Sequence, residues 1–193
     1  MRWKVTTEPT REPVTLQEAF AQIRVTNNDE RDLISDMVKA ARRYVERFTR
    51  TSLVTQTITL EMDWFSCSDF ELPAPPLASV TSIKYIDTGG TQQTLSTDVY
   101  LVETNSNDRP GRIRLKYNQS WPSLRGDPNG VEIIYVAGFG EPASVPDHYK
   151  QAMKLLIGHW YVNREAVVVG TATKEIEDAL ADQLWIGRTV EFA

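Results

Sequence analysis

Residues 29–50 read DERDLISDMVKAARRYVERFTR, and residues 57–62, a short step further on, read TITLEM. In the first stretch, at about 100° per residue, Leu33, Met37, Ala40, Ala41, Tyr44 and Phe48 fall on one face, which predicts a helix from about Asp29 to Arg50. Asp29, Glu30 and Asp32 stand in its first turn, and Arg47 and Arg50 in its last, so both ends suit the helix dipole. In the second stretch Ile58, Leu60 and Met62 alternate with Thr57, Thr59 and Glu61, the period of a half-buried strand. The change of period after Ser52 decides the fold class: α+β, with helices first and a β region following.

Working back toward the N-terminus, the first ten residues are polar, and Pro9 and Pro13 exclude a helix. Thr15 and Glu18 have capping-box spacing, and Leu16, Ala19, Phe20 and Ile23 then recur at helical intervals, which predicts a first helix. The segment 25–29, Val-Thr-Asn-Asn-Asp, breaks it, with Asn27 or Asn28 as the next N-cap. Working forward, Glu71 to Leu77 carries three prolines and cannot be a central strand. Val80 to Asp87, Val99 to Glu103, Ile113 to Tyr117 and Val131 to Ala137 read as further strands. Turn residues at Asp87-Thr88-Gly89-Gly90 and Asp127-Pro128-Asn129-Gly130 are dense enough to predict antiparallel pairing. Helix returns near Ser144, where Ser144 and Asp147 again have capping-box spacing, and runs to about Asn163. Glu175 to Trp185, with Ile176, Leu180 and Leu184 four apart, suggests a last helix. The expected organisation is one domain over 1–193, a helical core of two N-terminal helices and one long C-terminal helix. A β-rich insertion covers 54–140, and a tail covers 166–193.

The chain has 193 residues, a formal charge of −5 and one cysteine, Cys67. No intrachain disulfide or thiolate cluster can form. The acidic balance argues against tight DNA binding, which calls for a net basic surface. No apolar run reaches the roughly 18 residues that span a bilayer, and the N-terminus lacks a secretory pattern, so a cytoplasmic site of synthesis is expected.

Catalytic and metal-binding patterns are missing from the sequence. His148 and His159 return to nearly one face of their helix, but eleven residues at about 1.5 Å each separate them by about 16 Å, too far to share an ion. His159, amid Leu155, Leu156 and Trp160, reads as a partly buried histidine with a satisfied hydrogen bond. Cys67 has no basic neighbour to activate it. Val136-Ala137-Gly138-Phe139-Gly140 follows a strand but lacks the third glycine and the immediate helix of a dinucleotide fingerprint, so it reads as a strand exit. No catalytic residue, cofactor site or metal site is assigned.

Two patterns remain. Lys39, Arg42, Arg43, Arg47 and Arg50 project from the long helix opposite its apolar stripe, while Asp29, Glu30, Asp32 and Asp36 load its first half. Such a face is either solvated or polar in a self-complementary way, one copy's acidic half facing a neighbour's basic half; contacts of that heterologous kind close into rings. It could also touch passing DNA. Separately, Trp64, Phe65 and Trp121 lie in or beside loops. They either cover the end of a sheet or stack on bases or sugars, as a monomeric nucleic-acid- or glycan-binding module would. A small hydrolase built from distant carboxylates is a third possibility, which no motif supports.

Beyond these readings, the chain resembles the head–tail connector (adaptor) proteins of tailed phages, prophages and gene transfer agents. The resemblance runs through Glu12-Pro13-Val14-Thr15-Leu16-Gln17-Glu18-Ala19, Ile23-Arg24-Val25 to Asp29-Glu30, Tyr44, Thr49 and Leu53-Val54-Thr55-Gln56-Thr57. It continues at Glu71-Leu72-Pro73, Pro76-Leu77, Val80 to Tyr85, Pro110-Gly111-Arg112-Ile113, Tyr135 to Gly140 and Gly158 to Gly170. The ordered succession carries it; no single piece does. It implies a structural, non-enzymatic subunit of the virion, assembled in the host cytoplasm from about a dozen copies into a ring below the portal. A stopper or tail protein would meet the opposite face, double-stranded DNA would pass transiently through the channel, and no membrane would be involved. Asp29, Asp32, Asp36, Lys39, Arg42, Arg43, Arg47 and Arg50 are the candidates for the ring or channel interface. Val167, Val168, Val169, Ile176, Leu180 and Leu184 are the candidates for a portal-docking tail that becomes ordered on assembly.

Overall fold

A computed structural model describes residues 1–26, 29–65, 68–104 and 109–164. In chain order its elements are β1 (Arg2–Thr7), α1 (Leu16–Ile23), α2 (Arg31–Thr49), β2 (Gln56–Met62), β3 (Asp69–Glu71), β4 (Leu77–Ile86) and β5 (Gln92–Thr94). Then follow β6 (Tyr100–Glu103), β7 (Arg112–Leu115), β8 (Val131–Ala137), a 3₁₀ turn (Pro142–Ser144) and α3 (Asp147–Val162). The fold is α+β, a three-helix core interrupted by an antiparallel β region, as the change of period indicates. The chain divides into a β unit, Met1–Pro9 with Thr55–Gly140, and a helical unit, Thr10–Val54 with the residues after Gly140.

The β unit holds a five-stranded sheet in the order β1-β2-β8-β4-β5 and a three-stranded sheet in the order β3-β7-β6. Register turns the alternation into a core. Leu60 pairs with Ile133 and Ile133 with Ile83, while Ile58 pairs with Tyr135, and all five are fully buried. One residue out of phase, Arg2, Glu61, Glu132 and Lys84 form a charged row on the other face. The proline segment before β4 folds over the core: Leu72, Ala74 and Leu77 are buried. There the buried Tyr135 phenol donates to the Pro73 carbonyl at 2.8 Å, and burial pushes its pKa up. Gly111 is glycine because a Cβ there would collide with the Leu77 side chain.

Three strands lie outside the sequence expectation, among them β3, which pairs with β7 through Asp69, Phe70 and Glu71. β1 occupies the polar N-terminus as an edge strand, with Val5 packed on the core. β5 is short and wholly exposed.

In the helical unit α1, α2 and α3 pack pairwise on one another. The predicted capping box of α1 is present: the Glu18 amide donates to Thr15 Oγ1 at 3.2 Å, and the Thr15 amide to Glu18 Oε2 at 2.9 Å. That carboxylate is held down at about 2, chiefly by the backbone bond from Thr15. The box expected at Ser144 is not formed; Ser144 ends the 3₁₀ turn, and Pro146 starts α3 without a side-chain cap. The long helix begins at Arg31, so Asp29 and Glu30 precede it and only Asp32 is an acid of its first turn.

The stripe of α2 also needs correction. Its buried residues are Ile34, Val38, Ala41, Arg42, Val45 and Thr49, whereas Leu33 and Tyr44 are 39% and 40% exposed. The helix carries two adjacent apolar stripes, and the one with β-branched Ile34, Val38 and Val45 turns inward. Periodicity alone cannot choose between stripes set one residue apart.

Candidate assembly surfaces

Arg42 lies among the buried residues of α2, 2% exposed, and does not project with the other cations. Its Nε donates to Glu12 at 2.8 Å and its Nη1 to Glu46 at 2.8 Å. The other Glu46 oxygen accepts the Leu53 amide at 2.9 Å. Burial raises the Glu46 pKa, and Arg42 opposes that. A buried guanidinium is tolerated only when paired and hydrogen-bonded, so this clamp fixes the chain before α1, the helix and the turn after it. Arg42 is therefore withdrawn from the exposed face on which it was expected.

The rest of that face flanks the stripe at about 90° and does not stand opposite it. Asp32, Asp36, Lys39, Arg43, Arg47 and Arg50 are all exposed, and helical spacing puts them within an arc of about 80°. Asp36 and Lys39 pair at 3.6 Å along the helix. Arg50 is the left-handed C-cap, φ 58°. Asp29 lies in the turn before the helix and is also exposed.

Two apolar features border this charged flank. On one side is the stripe Leu33, Met37, Ala40 and Tyr44; only the Tyr44 ring meets an aromatic of α3, edge-on to Trp160 at 6.2 Å. On the other is a groove of about 730 Å³ whose apolar walls come from Val14, Leu16, Val38, Pro142 and Ala143. Arg11 and Glu141 bridge at its rim, 3.3 Å apart. Neither the stripe's exposure nor the groove was read from the sequence. The stripe had a signal, the heptad spacing 33, 37, 40, 44, but it was assigned to the core.

At the far end of α3, Tyr161 donates to Glu30 at 2.5 Å and Arg164 to the same carboxylate at 2.6 Å, with the guanidinium 4.6 Å above the Tyr161 ring. These hydrogen bonds hold the Glu30 pKa below its ordinary value. Residues 167–169, 176, 180 and 184, the tail candidates, lie outside the described residues.

The aromatic reading resolves toward sheet cover. Phe65 stacks on Trp121 at 4.6 Å with planes 9° apart, and both pack on the β core. A ring so covered has lost one face to its neighbour. Trp64 remains 68% exposed. His159 is half-buried with Asn163 3.1 Å from its Nδ1. Among the described residues no three His, Cys, Asp or Glu side chains gather to hold a metal ion, and no helix is long and apolar enough to cross a membrane.

What α2 and its surroundings offer to solvent is a charged flank between an apolar stripe and an apolar groove. The sequence model of the head completion protein family matches residues 14–179, and the chain belongs to that family. Its fold is similar to chains in three solved particles, each 20% identical and each aligned over 100% of this chain and 98% of the other. They are the neck of an empty gene transfer agent particle computed with C6 symmetry (TM-score 0.83), the virion of a native gene transfer agent particle (0.81) and the neck of a native particle computed with C12 symmetry (0.76). At that identity the likeness is one of fold. A search of curated proteins finds no match.

Proposed function

We propose that the chain is a structural head–tail connector subunit of a tailed phage, prophage or related particle, with no catalytic role. About a dozen copies form a closed ring below the portal, joining the filled head to a stopper or tail protein and framing the channel through which double-stranded DNA passes. The family match over residues 14–179 carries the reading. The end-to-end fold likeness to chains of symmetric neck particles supports it.

In this reading the exposed charged flank of Asp32, Asp36, Lys39, Arg43, Arg47 and Arg50 faces a neighbouring copy or the channel. Oppositely charged halves set register and speed encounter more than they add affinity. The tail residues Val167, Val168, Val169, Ile176, Leu180 and Leu184 dock on the portal. The fold favours this over a monomeric nucleic-acid- or glycan-binding module, because Trp121 is covered by Phe65.

The test is deletion of the gene in cells that produce the particles, followed by electron microscopy. Filled heads without tails should accumulate, and supplying the chain in trans should restore joining. Normal tailed particles from the deletion strain would overturn the proposal.

A further inference from the structure

Resting on the ring reading above, we infer that neighbouring copies meet through the two apolar features of the helical unit. The stripe Leu33, Met37, Ala40 and Tyr44 of one copy seats in the groove between Val38, Val14 and Pro142–Ala143 of the next.

Single exposed apolar residues are ordinary on any protein. Exposed Leu33, Ala40 and Tyr44 with the half-buried Met37 among them, all at heptad spacing along one helix, are not, because that spacing is the seam of a helix that packs on a partner. The stripe runs about 16 Å along α2. Its members are small or flexible enough to fit a concave surface, and Tyr44 adds a ring with a polar tip. The groove has the complementary character: its walls are aliphatic, and about 730 Å³ lies within the range of pockets that enclose a ligand of several side chains' bulk.

Position on the helix decides the kind of contact. At about 100° per residue the stripe and the groove residue Val38 lie on different sides of α2, with the stripe's centre roughly 130° from Val38 and further still from Ser35, which also lines the groove. Both features belong to one unit and share one helix, so their separation is fixed. A surface and its complement at different places on one copy make a head-to-tail contact, each copy giving one and receiving one. Such contacts propagate, and they close when the rotation between copies divides a full turn. A stripe meeting its own twin would instead stop at a dimer.

Charge at the borders agrees. Arg47 is exposed beside Ala40 and Tyr44 on the stripe's solvent edge, and the Glu141 side chain stands 74% exposed on the groove's rim. Seating the stripe brings Arg47 toward the Arg11–Glu141 pair, whose open carboxylate can accept a second cation. Rim pairs of this kind contribute little affinity but select orientation.

Cross-linking in assembled particles tests the pairing. The chain carries Cys67→Ser to remove its one cysteine, together with Ala40→Cys and Ala143→Cys, two exposed small residues on the facing surfaces. Purified tailed particles are treated with a short bis-maleimide and denatured. The expected product is a ladder of covalent dimers, trimers and longer chains, with monomer only from either single-cysteine variant. Monomer from the double variant in particles that retain both tails and the chain would overturn the contact and leave the connector reading standing. Dimers from Ala40→Cys alone would overturn it too, as stripe meeting stripe. Tailed particles that lack the chain altogether would remove the connector reading and this inference together. As a second measurement, Met37→Asp should reduce incorporated copies by about tenfold or more, since a charge would enter an apolar contact. Undiminished incorporation would overturn the inference.

Discussion

In the β unit, Leu60, Ile133 and Ile83 stand side by side on three strands with no exposed surface, and the polar row Arg2, Glu61, Glu132 and Lys84 takes the other face. In the helical unit, α2 buries Ile34, Val38, Ala41 and Val45, spends a buried arginine on holding three chain segments, and leaves Leu33 and Tyr44 near 40% exposed. The three central strands seal their apolar face, while α2 keeps some apolar surface in reserve; elsewhere the β unit also leaves Trp3, Trp64, Leu101 and Tyr117 exposed. In strands flanked on both sides by others, strict alternation fixes the two faces and leaves little apolar area over. A helix has a continuous circumference, and a wide apolar arc can serve a core and a partner together.

Three substitutions probe that contrast, from the largest effect to the smallest. Arg42→Ala removes the guanidinium that clamps Glu12 and the buried Glu46 and should lower stability by about 4 kcal/mol in urea unfolding. A loss below about 1 kcal/mol would mean the clamp is merely surface-like. Ile133→Ala opens a cavity in the middle of the sheet and should cost about 3 kcal/mol. If it exceeds the loss in the Arg42 variant, apolar packing at the sheet centre contributes more than the ionic clamp of the helical unit.

The third is a pH effect. The Glu18 carboxyl titrates at about 2 in the folded chain against 4.5 unfolded. Its folded value is the lower one, so its contribution is complete above about pH 4.5 and is lost as pH falls toward 2. Because the group is partly exposed, solvent screening limits that contribution to about 1 kcal/mol. Wild type and Glu18→Gln should differ by that amount at pH 7 and converge near pH 2; a difference that persists at low pH would detach it from the capping box.

Much of the architecture was legible because local chemistry decides it. Thr15 with Glu18 wrote a helix start, Ile58 to Met62 a half-buried strand, and the prolines at 73, 75 and 76 a segment that cannot join a ladder. β1 had alternation too, Trp3 and Val5 against Arg2, Lys4 and Thr6, but it pairs with residues fifty or more positions away, and its exposure makes it read as a polar arm. Gln92, Gln93 and Thr94 carry no apolar signal for β5. Of the candidate surface, the charged flank was readable from spacing. The withdrawal of Arg42 was not, because nothing near it in sequence announces Glu12 as its partner. Likewise Glu30, Tyr161 and Arg164 meet only through the tertiary fold.

The place where the β unit leaves and rejoins the helical chain carries a further consequence. The Thr55 amide donates to the Gly140 carbonyl at 3.1 Å, so a detour of more than eighty residues begins and ends at neighbouring points. Bringing α3 back to α2 across an unstructured stretch of that length would cost several kcal/mol of chain entropy. With the strands already formed, the detour behaves as a short bridge, and the helices meet as though hardly any sequence lay between them. Synthesis favours that order, since every strand precedes α3 in the chain.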